Sequence, residues 1–210
     1  MSKILVEVHR FYDVLCNPVS EMEIKEGDFV LIKLKFGEEL GKVKNFSEDE
    51  EEVKGVILKK ADHKDILKYF QVKEKEKEYY KRFVNFIFEK GIINLTPLAV
   101  HYSFDEKRLI CYAISNKKMD LTSFQKEFGK IIGKKTFFIL LPPREAMAKI
   151  GGYGPCGRKL CCATFLKEPL HVELRTVRIQ GLEEKREKIT GFCGRLLCCL
   201  EYERERYEKQ

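Results

Sequence analysis

The sequence predicts an α+β protein built in three parts. An antiparallel β-rich unit spans residues 1–52, a ferredoxin-like βαββαβ unit spans 53–145, and a cysteine-rich segment spans 146–210. Three observations carry this expectation. Short runs near the N-terminus alternate apolar and polar residues, the period of a half-buried strand. Two segments further on place apolar residues at helical spacing between strand-like runs. The last part holds six of the eight cysteines, in two copies of one motif.

In the first part, Ile4, Val6 and Val8 alternate with polar residues. Phe29 to Phe36 (FVLIKLKF) alternates again, and Gly37 with Glu38 and Glu39 supplies a turn into Leu40 to Phe46. Val53 to Leu58 forms another short apolar run. Short strands joined by glycine turns predict a small antiparallel sheet or barrel. The acidic run Ser47 to Glu52 reads as a solvated loop.

In the second part, Asp62 caps a helix that begins near Lys64 and stops at Gly91. Tyr80, Phe83, Val84, Ile87 and Phe88 form its apolar stripe, while Lys73 to Glu78 (KEKEKE) reads as exposed all round. Strands follow near Ile93–Phe104 and Leu109–Ser115, with Asp105 to Arg108 as the hairpin turn. Asp120 caps a second helix carrying Leu121, Phe124, Phe128, Ile131 and Ile132 on one face. Gly133 ends that helix, and Thr136 to Leu141 is a strand. The order strand, helix, strand, strand, helix, strand from Val53 is the split βαβ order. That fold serves many functions and selects none.

Composition narrows the class. The 210 residues are 44% hydrophobic and 35% charged, which excludes global disorder. The longest apolar stretch, Phe137 to Leu141, is too short to cross a bilayer, so no integral membrane segment is expected. No signal peptide is read at the N-terminus, and a reducing, cytoplasmic setting argues against a disulfide framework. The 40 basic and 33 acidic residues give +7, with signs mixed along the chain. That balance fits a solvated surface and leaves RNA contact open. His9, His63, His101 and His171 are scattered without ligand spacing and read as surface or core residues. No Walker loop, G-x-S-x-G or H-E-x-x-H is present, so no enzyme is expected.

The cysteines point to metal. Cys156-Gly-Arg-Lys-Leu-Cys161-Cys162 and Cys193-Gly-Arg-Leu-Leu-Cys198-Cys199 both read C-G-R-x-L-C-C. Glycines before each first cysteine place a turn there, and Gly157 and Gly194 let a helix begin close by. Thiolates at a helix N-terminus, with Arg158 and Arg195 beside them, are expected to be depressed in pKa and to suit a soft metal. The opposing reading makes these cysteines small core residues. Spacing alone does not choose between zinc and an iron–sulfur cluster. Three cysteines per copy leave a four-ligand site one short, to be filled by Cys16, Cys111 or another subunit. Both cysteines are isolated, and Cys111, within a strand pattern, reads better as a core residue.

Lys149 to Leu166 (KIGGYGPCGRKLCCATFL) and Lys188 to Glu203 (KITGFCGRLLCCLEYE) resemble the RicT (YaaT) family with its PSP C-terminal conserved region. Ile24 to Val30, the charged helix near Lys73 to Tyr80, and Tyr102 to Asp105 extend the resemblance over most of the chain. The resemblance implies a bacterial cytosolic regulatory protein, peripheral at the membrane through partners. It implies work with small helical RicA- and RicF-like proteins in a complex holding [4Fe–4S] clusters. That complex is tied to RNase Y-dependent mRNA processing and to sporulation, competence and biofilm control. Carried over residue by residue, it makes Cys156, Cys161, Cys162, Cys193, Cys198 and Cys199 the cluster ligands. Structural zinc in a nucleic-acid-binding protein is the alternative.

Overall fold

Alternation at the N-terminus builds a closed barrel. In the computed structural model, which describes residues 3–19, 22–47, 52–115, 117, 119–166, 168, 170–183 and 189–208, two compact units are present, 1–140 and 141–210. The acidic run read as a loop lies mostly outside the described residues. The barrel comprises β1 (Lys3–His9), β2 (Tyr12–Pro18), β3 (Phe29–Leu34), β4 (Gly37–Ser47) and β5 (Gly55–Lys60) in the order β1-β2-β5-β3-β4. Ile4, Val6 and Val8 point inward with Val14, Cys16, Val30, Ile32, Val43 and Ile57. Each such side chain contributes about 1.5–3 kcal/mol when fully buried. β2 and β5 run parallel, and the other barrel pairs are antiparallel.

Two details differ from the sequence reading. Gly37 is the first residue of β4, so the turn lies at Lys35–Phe36 and Glu39 sits within a strand. The βαββαβ order is present from β5 onward, but its first strand closes the barrel. The second sheet is therefore three-stranded, with order β6-β7-β8, rather than the four-stranded sheet of a ferredoxin-like fold. A strand whose two neighbours already offer free ladder edges completes the barrel and leaves none of its own.

Helix α1 (His63–Glu89) starts on a capping box: Asp62 accepts from Asp65 N while the Asp65 carboxylate accepts from Asp62 N. Its buried face is Val72, Glu76, Phe83, Phe86 and Ile87, and Phe88 from the expected stripe is exposed. Strands β6 (Leu95–Tyr102) and β7 (Arg108–Ser115) pair with Tyr102 opposite Leu109. Helix α2 (Thr122–Ile132) has its first turn held by Asp120 Oδ1, which accepts from Thr122 N at 2.8 Å. Gly133 ends it in the left-handed conformation at φ 69°, and β8 spans Lys135–Leu141. Phe83, Phe86, Phe128 and Phe138 pack as tilted and edge-on rings at the centre. Cys111 belongs to this core, as its strand pattern implies, and Cys16 belongs to the barrel core, on a strand that the sequence reading did not identify.

The unexpected feature of this unit is a buried charged cluster. Glu39 from β4, Glu76 from α1 and His101 from β6 are each under 9% exposed. Glu76 Oε1 accepts from Tyr102 N at 2.9 Å, faces His101 Nδ1 at 3.0 Å, and its carboxylate takes Lys73 Nζ. Glu39 accepts from Phe104 N at 3.0 Å and from Arg108 Nη2 at 3.3 Å. His101 Nε2 is 3.3 Å from Glu39 Oε2 but outside hydrogen-bond geometry. Burial disfavours the imidazolium, yet the two carboxylates outweigh it and hold the His101 pKa above its ordinary value. His9, 5.2 Å from that ring and stacked on Tyr112, is pushed down to about 3 by burial and by the neighbouring His101. His101 is thus a core residue, satisfied at Nδ1 by Glu76, while its Nε2 faces Glu39 without a hydrogen bond.

Candidate metal centre

The second unit begins with helix α3 (Pro143–Ile150), which starts on Pro143 and packs on the turn Cys161–Ala163 at the end of the first motif. The first motif folds as a tight hydrogen-bonded knuckle. Gly154 N donates to Arg158 O, Gly157 N to Gly154 O, and Leu160 N to Gly152 O. The second repeats the same bonds: Gly191 N to Arg195 O, Gly194 N to Gly191 O, and Leu197 N to Ile189 O. Gly157 and Gly194 take φ of 75° and 71°, which an L side chain resists. The bridges Tyr153–Lys159 and Thr190–Leu196 occupy equivalent places. Near-identical sequence thus gives near-identical turns.

The glycines therefore shape a hairpin, and helical structure begins four residues after each of them. Cys161 and Cys162 open a single 3-10 turn, Cys161–Ala163, while Cys198 and Cys199 open helix α5 (Cys198–Tyr202). Between the motifs, α4 (Leu174–Ile179) packs Val177 against Ile189 and Leu200, and α6 (Arg204–Glu208) follows. Thr176 Oγ1 donates to Glu201 Oε2 at 2.7 Å and Gln180 Nε2 to Leu200 O at 2.7 Å, tying α4 to α5.

All six motif cysteines line one cavity of about 80 Å³. Cys156 is exposed and the other five are half-buried, so none is a closed-in core residue. The cavity wall also carries Arg144 and Lys159 and no Asp, Glu or His. Cys16 and Cys111, by contrast, are fully buried in unit 1, and burial pushes the Cys16 thiol up to about 12. The structure brings the two motifs together and places neither isolated cysteine among them.

At Cys161, Cys162 and Cys199 the expected acidification is reversed. Burial raises the pKa of Cys161, Cys162 and Cys199, and neighbouring motif cysteines raise it further: Cys198 acts on both Cys161 and Cys162, and Cys161 acts on Cys199. The physical reason is twofold. A 3-10 turn of three residues and a five-residue helix carry too few aligned peptides for a strong positive end. Gathering several thiols also makes each thiolate repel the next. Thiols held in the protonated form by burial and by neighbouring sulfurs, as at Cys161, Cys162 and Cys199, are ones that a cation would draw into the thiolate form.

Donor chemistry at the cavity fits a soft, thiolate-ligated centre: six sulfurs, no oxygen ligand and flanking cations. Among the described residues no group of three or more His, Cys, Asp or Glu side chains is arranged to hold a metal ion. Loading would therefore require the sulfurs of the two knuckles to close inward. Sequence reasoning found all six cysteines but missed Arg144, whose only signal was a basic residue in the helix leading into the first motif.

The PSP1 C-terminal conserved region matches residues 55–136, from β5 into β8, and the PSP1-like third domain matches residues 171–210, which include the second knuckle. The chain is 31% identical over 152 residues to the Stage 0 sporulation protein YaaT of Bacillus subtilis (strain 168), covering 72% of this chain and 55% of that protein. The chain belongs to the PSP1 (YaaT) family. It spans about half the length of the curated relative it matches. No solved structure matches it. Within the family match, the first knuckle, Cys156 to Cys162, lies between the two matched stretches. No helix among the described residues is long and apolar enough to cross a membrane.

Proposed function

We propose that this PSP1-family protein is a non-enzymatic regulatory adaptor that holds one or more iron–sulfur clusters of the [4Fe–4S] type through its paired C-G-R-x-L-C-C motifs. The observation that carries this reading is the convergence of six thiols on one acid-free cavity. A second observation agrees with it. The 70-residue second unit, Leu141–Gln210, buries only Ala146, Val177, Ile189 and Leu200 as apolar residues among those described. So small a core needs a staple, a metal or a partner to be stable.

The adaptor acts with protein partners, small helical proteins of the RicA and RicF type, in RNase Y-dependent mRNA processing and developmental regulation. The sporulation role carried in the name of the Bacillus subtilis relative supports the regulatory part. Cys156, Cys161 and Cys162 from one knuckle and Cys193, Cys198 and Cys199 from the other are the candidate ligands: four of them complete one cluster, whereas one cluster on each knuckle would take its fourth ligand from a partner. When bound, the cluster supplies a redox-sensitive, thiolate-held centre. The chain's own residues position the sulfurs and leave the cavity wall free of acid side chains.

Anaerobic purification with iron, sulfide and zinc analysis, with and without partner proteins, tests the reading. Iron and sulfide in near-equal amounts, with broad visible absorption lost in air, are expected. Stoichiometric zinc without iron would replace this function with a nucleic-acid-binding protein stabilised by zinc. A metal-free protein under all conditions would refute both.

A further inference from the structure

Arg144 is a buried cation with no counter-charge among the described residues. Its residue is 7% exposed, on helix α3 within the second unit. Nη1 donates to Leu170 O, and Nη2 donates at 3.4 Å to Leu196 O, the variable position of the second motif. Nε is buried without a hydrogen-bond partner. Among the described residues no carboxylate pairs with it, and the cavity it lines contains no acid. A guanidinium is permanently charged, and burying one against neutral carbonyls alone is costly. The side chain lines the same cavity as the six thiols.

We propose that Arg144 is the counter-cation of the cysteine cavity, a positioning residue that selects an anionic, thiolate-ligated metal centre and clamps the second motif beside the first. The inference rests on the metal-holding reading given above and adds to it the sign of the occupant's charge. A divalent metal held by four thiolates is a dianion, and so is a cubane cluster with four thiolate ligands in its usual oxidised state. Each ligating sulfur loses its proton to solvent as the metal binds. The orphan Nε–H then gains a negatively charged neighbour, and Lys159 on the same wall adds a second, more exposed cation. The backbone bonds to Leu170 and Leu196 hold the guanidinium in place before loading, so its field is already set when the metal arrives.

The test uses the full chain, purified metal-free under anaerobic conditions and titrated with Co²⁺, with the thiolate-to-cobalt absorption band as the readout. R144Q removes the charge at similar size, and R144K keeps the charge but loses the two-carbonyl clamp. Co²⁺ affinity is expected to fall about 10–100-fold in R144Q, the range for losing a group that supports metal ligands. R144K is expected to stay near wild type in affinity, while both metal-free variants melt earlier than wild type. Wild-type affinity in R144Q would overturn the counter-cation role. An equal fall in R144Q and R144K would show a clamp rather than a charge effect, and would overturn it too. If inorganic phosphate stabilises the metal-free protein and competes with Co²⁺, the cavity takes a free anion and the inference fails. A wild-type protein with no cobalt band would instead sink the metal-holding reading itself, an outcome separate from the variant comparison.

Discussion

Removing the Glu39 carboxylate should be among the most damaging single changes in the first unit. In E39A the Phe104 amide loses its acceptor at 3.0 Å, Arg108 loses its partner at 3.3 Å, and His101 loses one of its two carboxylates. A hydrogen bond to a charged group contributes about 1.5–3 kcal/mol, and breaking a buried ion pair from one side costs about 3–5 kcal/mol. The second figure includes the orphaned donors, so E39A should cost about 3–5 kcal/mol, a large share of an ordinary domain's 5–15 kcal/mol. Urea unfolding followed by circular dichroism measures it. The pH dependence supplies a second check. The folded pKa of His101 is raised, so its stabilisation is fully present below about 6.5, the ordinary histidine value, and is lost as pH rises through the folded value. His9 has the opposite sign: with a folded pKa of about 3, it costs stability progressively as pH falls below the unfolded histidine value. Wild-type stability should therefore decline on both sides of mildly acidic pH. E39A should flatten the alkaline side, because one of the two groups holding His101 up is gone. A loss under about 1 kcal/mol with an unchanged pH profile would refute the view that this cluster is a tightly coupled support.

Three further outcomes are expected. C161S and C198S should each lower bound iron and weaken partner binding while leaving α1 and α2 folded, because serine offers a hard, poorly acidic oxygen and the core of unit 1 contains neither residue; iron analysis and far-ultraviolet circular dichroism read both. C111S places a hydroxyl in a fully buried strand position and should cost about 1–3 kcal/mol by denaturant melt while leaving iron content unchanged. G157A and G194A meet no steric obstacle, yet each forces an alanine to positive φ at about 1–2 kcal/mol, so both should lower the melting temperature of unit 2 and its metal uptake together.

Where local chemistry decides, the residues could be read directly. The alternation of Ile4, Val6 and Val8, the Asp62–Asp65 capping box and the Gly133 stop are properties of a few neighbouring residues, and each appears where its pattern implies. The twin motif was legible because two copies of one string fold into one hydrogen-bonded turn. What could not be read depends on distant partners. Glu76 lies in a run of alternating lysine and glutamate that looks solvated throughout, and only the arrival of His101 and the Tyr102 amide makes its burial tolerable. Glu39 resembles a turn residue until the Phe104 amide meets it. The pairing of β5 with the barrel depends on the free edges of β2 and β3, which no local pattern encodes. The raised thiols of Cys161, Cys162 and Cys199 follow first from burial and then from sulfurs gathering across 37 residues of sequence, counted from Cys156 to Cys193.

A duplicated string is not a duplicated environment. The two knuckles share their turn bonds, but the first continues into a lone 3-10 turn and the second into a helix anchored by Leu200 in the small core. Their leading sulfurs differ accordingly, Cys156 being exposed and Cys193 half-buried. The halves are therefore chemically ranked: oxidants and alkylating agents meet Cys156 before Cys193. On the metal-holding proposal, filling and emptying the site becomes a sequence of unequal steps, with the helix-backed arm as the retentive half and the more exposed arm as the entrance.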